Sequence, residues 1–115
     1  MKHYPHQWTV QDRYGNTVYM TAERWQHALG KRPWLTDYLA ETLDTLRFGH
    51  RKQNPLRPNK YKYYRRCDDL WPEYNHIVVV VLFSERPDEA GLSGGQYAAN
   101  NYVTNVWAVY IHSRG

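Results

Sequence analysis

The chain has a single cysteine, Cys67, among its 115 residues. This excludes an internal disulfide framework and a cysteine-rich zinc site, and it fits a reducing compartment. The neighbouring Arg65 and Arg66 could lower the thiol pKa, so a reactive cysteine is one option beside a plain buried one. Long apolar runs are missing too. The longest, Ile77 to Phe83, is far too short for a membrane span, and the N-terminus Met1 to His6 lacks the apolar stretch of a secretory signal. The expected setting is soluble and cytoplasmic, without a membrane partner, or that of a cargo delivered by machinery the chain does not encode. There is no glycine-rich phosphate loop ahead of a helix, no nucleophile elbow and no paired acidic motif of a two-metal nuclease. Asp68-Asp69 beside arginines reads as a solvated turn, and His3 and His6 as a frayed tail. No metal and no cofactor is therefore expected.

Carboxylates are absent from one stretch above all. Arg47 to Arg66 carries eight lysines and arginines and no acidic residue, while the whole chain stands at only +4, so the remainder is slightly acidic. Rings accompany the charge: Tyr61, Tyr63, Tyr64, Trp71, Tyr74 and, further on, Tyr97. A local positive field attracts a polyanion, and interleaved aromatic faces offer stacking to unpaired bases. Arg47, Arg51, Lys52, Lys60, Lys62 and Arg66 are the candidate RNA contacts in this belt. The plainer reading is a solvated basic loop that keeps the protein in solution.

The length corresponds to a single domain over residues 1–115. Eleven tyrosines and five tryptophans carry much of the apolar bulk, which suits a thin core beneath a binding face. Gln7 to Gln11 and Thr17 to Met20 read as a β-hairpin around Asp12-Arg13-Tyr14-Gly15-Asn16. Thr21 sits where a helix cap belongs, with Glu23 in the first turn, Trp25, Ala28 and Leu29 at helical spacing, and Gly30 as the expected C-cap. Pro33 opens a second helix whose stripe is Leu35, Leu39, Thr42, Leu43 and Leu46, ended by Gly49. A loop with Pro55 and Pro58 comes next. Lys60 to Cys67 reads as a strand, with Tyr61, Tyr63 and Arg65 on one face and Lys62, Tyr64 and Arg66 on the other. Asp68 to Asn75 is a turn containing Trp71-Pro72. His76 to Phe83 is a β-branched run covered on both faces, and Tyr102 to Ile111 a last strand after the glycine-rich connection 85–100. In that last strand Thr104 and Asn105 are polar, and one of them should face a site. The expected fold class is α+β: two N-terminal helices packed on a curved antiparallel sheet, preceded by the hairpin.

RNA carries its own nucleophile, the 2′-hydroxyl. Cleavage needs a base, an acid and cations for the phosphorane, roles that suit histidine and arginine. His27 lies off the Trp25 stripe and can reach a cleft; as a plain surface or capping residue it would do nothing. His50 and His76 are the next candidates.

Thr21-Ala22-Glu23-Arg24-Trp25-Gln26-His27, Tyr63-Tyr64-Arg65, Val78-Val79-Val80-Val81 and Tyr102-Val103-Thr104 succeed one another in order. In this order they resemble the phage-associated branch of the barnase, EndoU, colicin and RelE-like superfamily of metal-independent ribonucleases. The resemblance spans roughly residues 18–109. It implies one or two helices on a curved antiparallel sheet, His27 as general acid or base, Arg24 and Arg65 on phosphate, Thr104 donating to it, and Tyr64 as a reserve proton donor. Where relatives often have a histidine-proline pair, this chain has Lys31-Arg32-Pro33-Trp34. The reading it supports is a small ribonuclease in a toxin–antitoxin, phage or effector setting, with an acidic antitoxin or immunity protein as partner. A non-catalytic nucleic-acid-binding module and a phage structural protein are the alternatives.

Overall fold

The structure, a computed structural model, describes residues 7–70, 73–84 and 100–112. The His3/His6 tail, Trp71-Pro72, Tyr97 and most of the glycine-rich connection lie outside the described residues. Strands β1 (Gln7–Gln11) and β2 (Thr17–Thr21) form the expected hairpin, whose turn requires Gly15 at φ 88. Thr21 then caps helix α1 (Ala22–Lys31), its hydroxyl accepting the Arg24 amide at 3.1 Å, and Trp25 and Ala28 turn inward. A 3-10 helix (Pro33–Tyr38) leads into α2 (Leu39–Phe48), and β3 (His50–Gln53), β4 (Lys60–Arg66), β5 (His76–Ser84) and β6 (Asn100–Val109) complete the chain.

The fold is α+β, with a six-stranded sheet in the order β1-β2-β6-β5-β4-β3. Every pairing is antiparallel except β2 with β6, which run parallel through Tyr19 and Tyr102. Several expectations need correction. The hairpin is part of the sheet and not an appendage ahead of it: β2 pairs parallel with β6, so the helices lie between strands of one sheet, which is not wholly antiparallel. The second helix starts as a 3-10 helix with Pro33 at its first position, and Tyr38 is the N-cap of the α-helical part alone. Gly30 lies inside α1 and not at its end; the closing contact is the Arg32 amide to the Ala28 carbonyl at 2.9 Å. The loop after Gly49 contains a strand, β3.

Both helices cover one face of the sheet. Trp25, Ala28, Leu35, Leu43 and Leu46 form one core with Val18, Met20, Tyr63, Ile77, Val79, Val81, Val103 and Val106. Full burial of a side chain of this size is worth roughly 1.5–3 kcal/mol before ordering entropy is counted. Thr42 and Thr45 share the buried helix face because their hydroxyls donate to the Tyr38 and Glu41 carbonyls at 2.7 and 2.8 Å. Gly49 is needed where α2 ends, since a Cβ there would lie 2.7 Å from the Tyr64 carbonyl oxygen and closer still to that of Thr45.

The sheet must curl, because its two ends meet. Asp12, in the β1–β2 turn, is buried against β3 and β4. Its carboxylate accepts the Tyr14 and Asn16 amides at 2.9 and 2.7 Å and the Tyr63 hydroxyl, with the Arg51 guanidinium at 3.9 Å. Arg51 is sandwiched in turn, 4.4 Å from the Tyr14 ring centroid and 4.3 Å from that of Tyr61.

Candidate nucleic-acid interface

Period-two alternation decides which residues leave the helix-free face. On β4, Tyr61 and Tyr63 point into the helical core, so Lys60, Lys62, Tyr64 and Arg66 point away from it. On β5, Val78 and Val80 are buried at 5% and 6% exposure yet stand outside the helical core, under flanking side chains. On β6 the register slips: Val80 pairs with Asn105 but Val81 with Val103, leaving Thr104 as the extra residue of a bulge. Alternation alone would put Thr104 and Asn105 on opposite faces. The bulge instead turns both to the same cavity, and Trp107 is the next residue on that face.

Two adjoining cavities occupy this face. The first, of about 390 Å³, is walled by Tyr64, Val78, Trp107, Val109 and Ile111, with Lys52 and Lys62 at its side. The second, of about 430 Å³, is lined by Asn54, Lys60, Tyr61, Val80, Thr104 and Asn105, and shares Lys62 and Trp107 with the first. The Lys62 ammonium lies 5.8 Å from the Trp107 ring centroid. A smaller hollow of about 280 Å³ continues past Lys62 to Gln53 and Pro55. Among the described residues no carboxylate lines any of the three, and Lys52, Lys60 and Lys62 make no ion pair. Such a surface holds its positive charge unneutralised beside two rings.

The residues expected to share one phosphate do not meet. His27 and Arg24 are exposed on α1, on the helical side. Arg65 also faces that side, opposite the core residue Ile77 in register, with its guanidinium 5.9 Å from the Phe48 ring. Thr104 and Tyr64 open on the other face, where the Thr104 hydroxyl donates to the Val80 carbonyl at 3.4 Å. The belt divides in the same way. Arg51 is consumed by the Asp12 closure, Arg47 pairs with Asp44 on α2 at 2.9 Å, and Arg66 pairs with Asp68 at 2.8 Å. Lys52, Lys60 and Lys62 remain together on one surface. His50 is exposed, with its ring 6.1 Å from Tyr64. His76 opens β5; burial, and then the Arg66 charge, hold its pKa below the ordinary value, and Nδ1 donates to Asn75 Oδ1 at 2.7 Å.

Cys67 is not activated. Burial raises its pKa, and the Arg65 charge opposes this only weakly. No group of three or more potential metal ligands occurs among the described residues, and no described helix is long and apolar enough to cross a membrane. Sequence reasoning missed Trp107 and Asn54. Two-residue spacing from Asn105 would have found the first; the second depends on a turn that only the β3–β4 pairing creates.

Fold and site together define an α+β sheet domain with one helix-covered face and one basic, aromatic, open face. Compared with known proteins, the chain matches no family model, no curated protein and no solved structure. Its function is therefore argued from its own residues.

Proposed function

We propose that this protein binds single-stranded nucleic acid, RNA in the first instance, across the helix-free face of the sheet. The observation that carries the reading is the cluster of Lys52, Lys60 and Lys62 around the Trp107 and Tyr64 rings, with no ion pair to them and no carboxylate beside them among the described residues. Lysine ammonium groups hold phosphates as point charges, and half-buried rings that open on a cavity, as Trp107 and Tyr64 do, accept bases of any identity. A duplex would offer phosphates but no unstacked base for the rings, so a single strand fits better. A ribonuclease acting through His27, Arg65 and Thr104 gains no support, because Thr104 opens on the opposite face from the other two.

Labelled single-stranded RNA in chelator separates these readings by fluorescence anisotropy and gel analysis. Bound, intact RNA is expected, with Lys60→Ala and Lys62→Ala weakening the complex and Arg24→Ala and Arg65→Ala leaving it unaltered. Cleavage that survives chelator and is lost in His27→Ala would replace the binding reading by the nuclease one. Binding that depends on Arg24 and Arg65 instead would move the interface to the helical side. An acidic antitoxin-like partner on the lysine face would compete with RNA for the same three side chains.

A further inference from the structure

We infer that the open face is divided into a phosphate compartment, formed by Asn54, Lys60, Lys62 and Asn105, and a base compartment against Trp107 and Tyr64. The inference rests on the nucleic-acid reading and adds the orientation of the bound nucleotide. Its basis is the direction in which the two asparagines offer their amides. Asn54 Oδ1 accepts the Leu56 and Arg57 backbone amides at 2.8 and 3.2 Å. Asn105 Oδ1 accepts the Val106 amide at 2.9 Å. With both carbonyl oxygens engaged by backbone, the groups left for a ligand are the two amide N–H₂ donors. Lys60 and Lys62 add ammonium donors and no acceptors to the same cavity.

A cavity with four such donor side chains, against the Thr104 hydroxyl whose proton is turned to the Val80 carbonyl, discriminates by hydrogen-bond polarity. Base edges carry both donors and acceptors, so a donor-rich site leaves part of a base unsatisfied. A phosphodiester has only acceptor oxygens and a negative charge, and every one of these four side chains can serve it. The neighbouring cavity has the opposite character, with Tyr64, Val78, Trp107, Val109 and Ile111 offering rings and aliphatic surface. Because Lys62 and Trp107 belong to both, a base on Trp107 and its phosphate among the asparagines fall within one nucleotide.

Asn→Asp replacement is a clean probe. An aspartate keeps the oxygen that accepts the Val106 amide, or those of Leu56 and Arg57, so the local backbone is preserved while the outward donor becomes an anion. Anisotropy would be measured with a short labelled oligouridylate and with an abasic oligonucleotide of the same length. Asn105→Asp should weaken both by at least ~10-fold, whereas Trp107→Leu should weaken the oligouridylate alone. Asn54→Asp, on a different strand connection, repeats the first arm independently should Asn105→Asp fail to fold. If both aspartate variants bind like the unaltered protein, the phosphate compartment is refuted while the nucleic-acid reading stands. Equal losses on both ligands for Trp107→Leu would refute the base compartment. If the unaltered protein binds neither ligand, the nucleic-acid reading falls and takes this inference with it.

Discussion

Tyr63→Phe removes one oxygen atom from the centre of the fold and tests how the sheet is held in its curl. The Tyr63 hydroxyl donates to Asp12 Oδ2 and receives the Arg51 guanidinium at 3.4 Å. Asp12's side chain has no solvent exposure, so water cannot replace a lost donor. Hydrogen bonds to charged groups contribute about 1.5–3 kcal/mol, and a buried acceptor left short of one loses a similar amount. Two compensations limit the loss. Asn16 Nδ2 already donates to the same oxygen at 3.2 Å, and Arg51, 3.9 Å away, can move closer. The expected cost is about 2 kcal/mol. For a chain of this size that lowers Tm by roughly 6–12 °C, and it lowers the urea midpoint by roughly 1 M. Tryptophan fluorescence during thermal and urea unfolding reads both. A double-mutant cycle with Asp12→Asn should return most of the loss as coupling energy, because each partner alone leaves the other buried. A Tyr63→Phe protein within about 0.5 kcal/mol of the original would refute the closure as a stabilising element.

Salt dependence is set by the three lysines: single-strand binding should show a log–log slope of roughly −2, about 0.7 per phosphate contact, and each Lys→Ala should remove about 0.7. A flat slope would rule out phosphate contacts at Lys52, Lys60 and Lys62. His76 is held below its ordinary value of 6.5, so on acidification the unfolded chain takes up the proton first. Its contribution to stability is complete above about pH 6.5 and declines as pH falls toward the folded value; Tm measured across that window should fall less in His76→Gln, and parallel curves would refute it. Cys67, buried with a raised pKa, should react with an aromatic disulfide reagent slowly in the native state and fully in urea; rapid native reaction would mean that the surrounding core opens.

What could be read from the chain was what neighbouring residues decide among themselves. Thr21 caps α1, Trp25 and Ala28 face inward, and the Lys60–Arg66 alternation sorts its faces as spacing requires. His76 to Phe83 is central because the unbroken β-branched run Ile77 to Val81 suits a strand with neighbours on both sides. What the chain hid was long-range. His50-Arg51-Lys52-Gln53 contains no apolar residue, and it is a strand because β4 supplies its hydrogen bonds and Asp12 receives Arg51. Nothing local marks β2 as the parallel neighbour of β6. Site residues divide by the same criterion. The common face of Lys60, Lys62 and Tyr64 comes from alternation, but the turning of Thr104 toward Asn105 needs the bulge opposite Val80 and Val81.

Lysines on and beside an outer strand have another established use: they discourage edge-to-edge pairing between molecules. Lys52, on the short edge strand β3, fits that role by itself. Lys60 and Lys62 lie one strand further in, where β3 and β5 already satisfy the backbone, and edge protection needs nothing from them. Asn105 and Trp107 are on β6, on the far side of β5 from β4, where they pair with Val80 and Val78. Edge protection also gives no reason for a bulge that turns two polar residues toward the same lysines. A solubility role would scatter charge of both signs, yet among the described residues the charged ones lining the cavities are all cations. Binding an anion that also carries a flat ring accounts for the lysines, the donor-facing asparagines, the bulge and the tryptophan together, and the edge and solubility explanations each account for only part of that set.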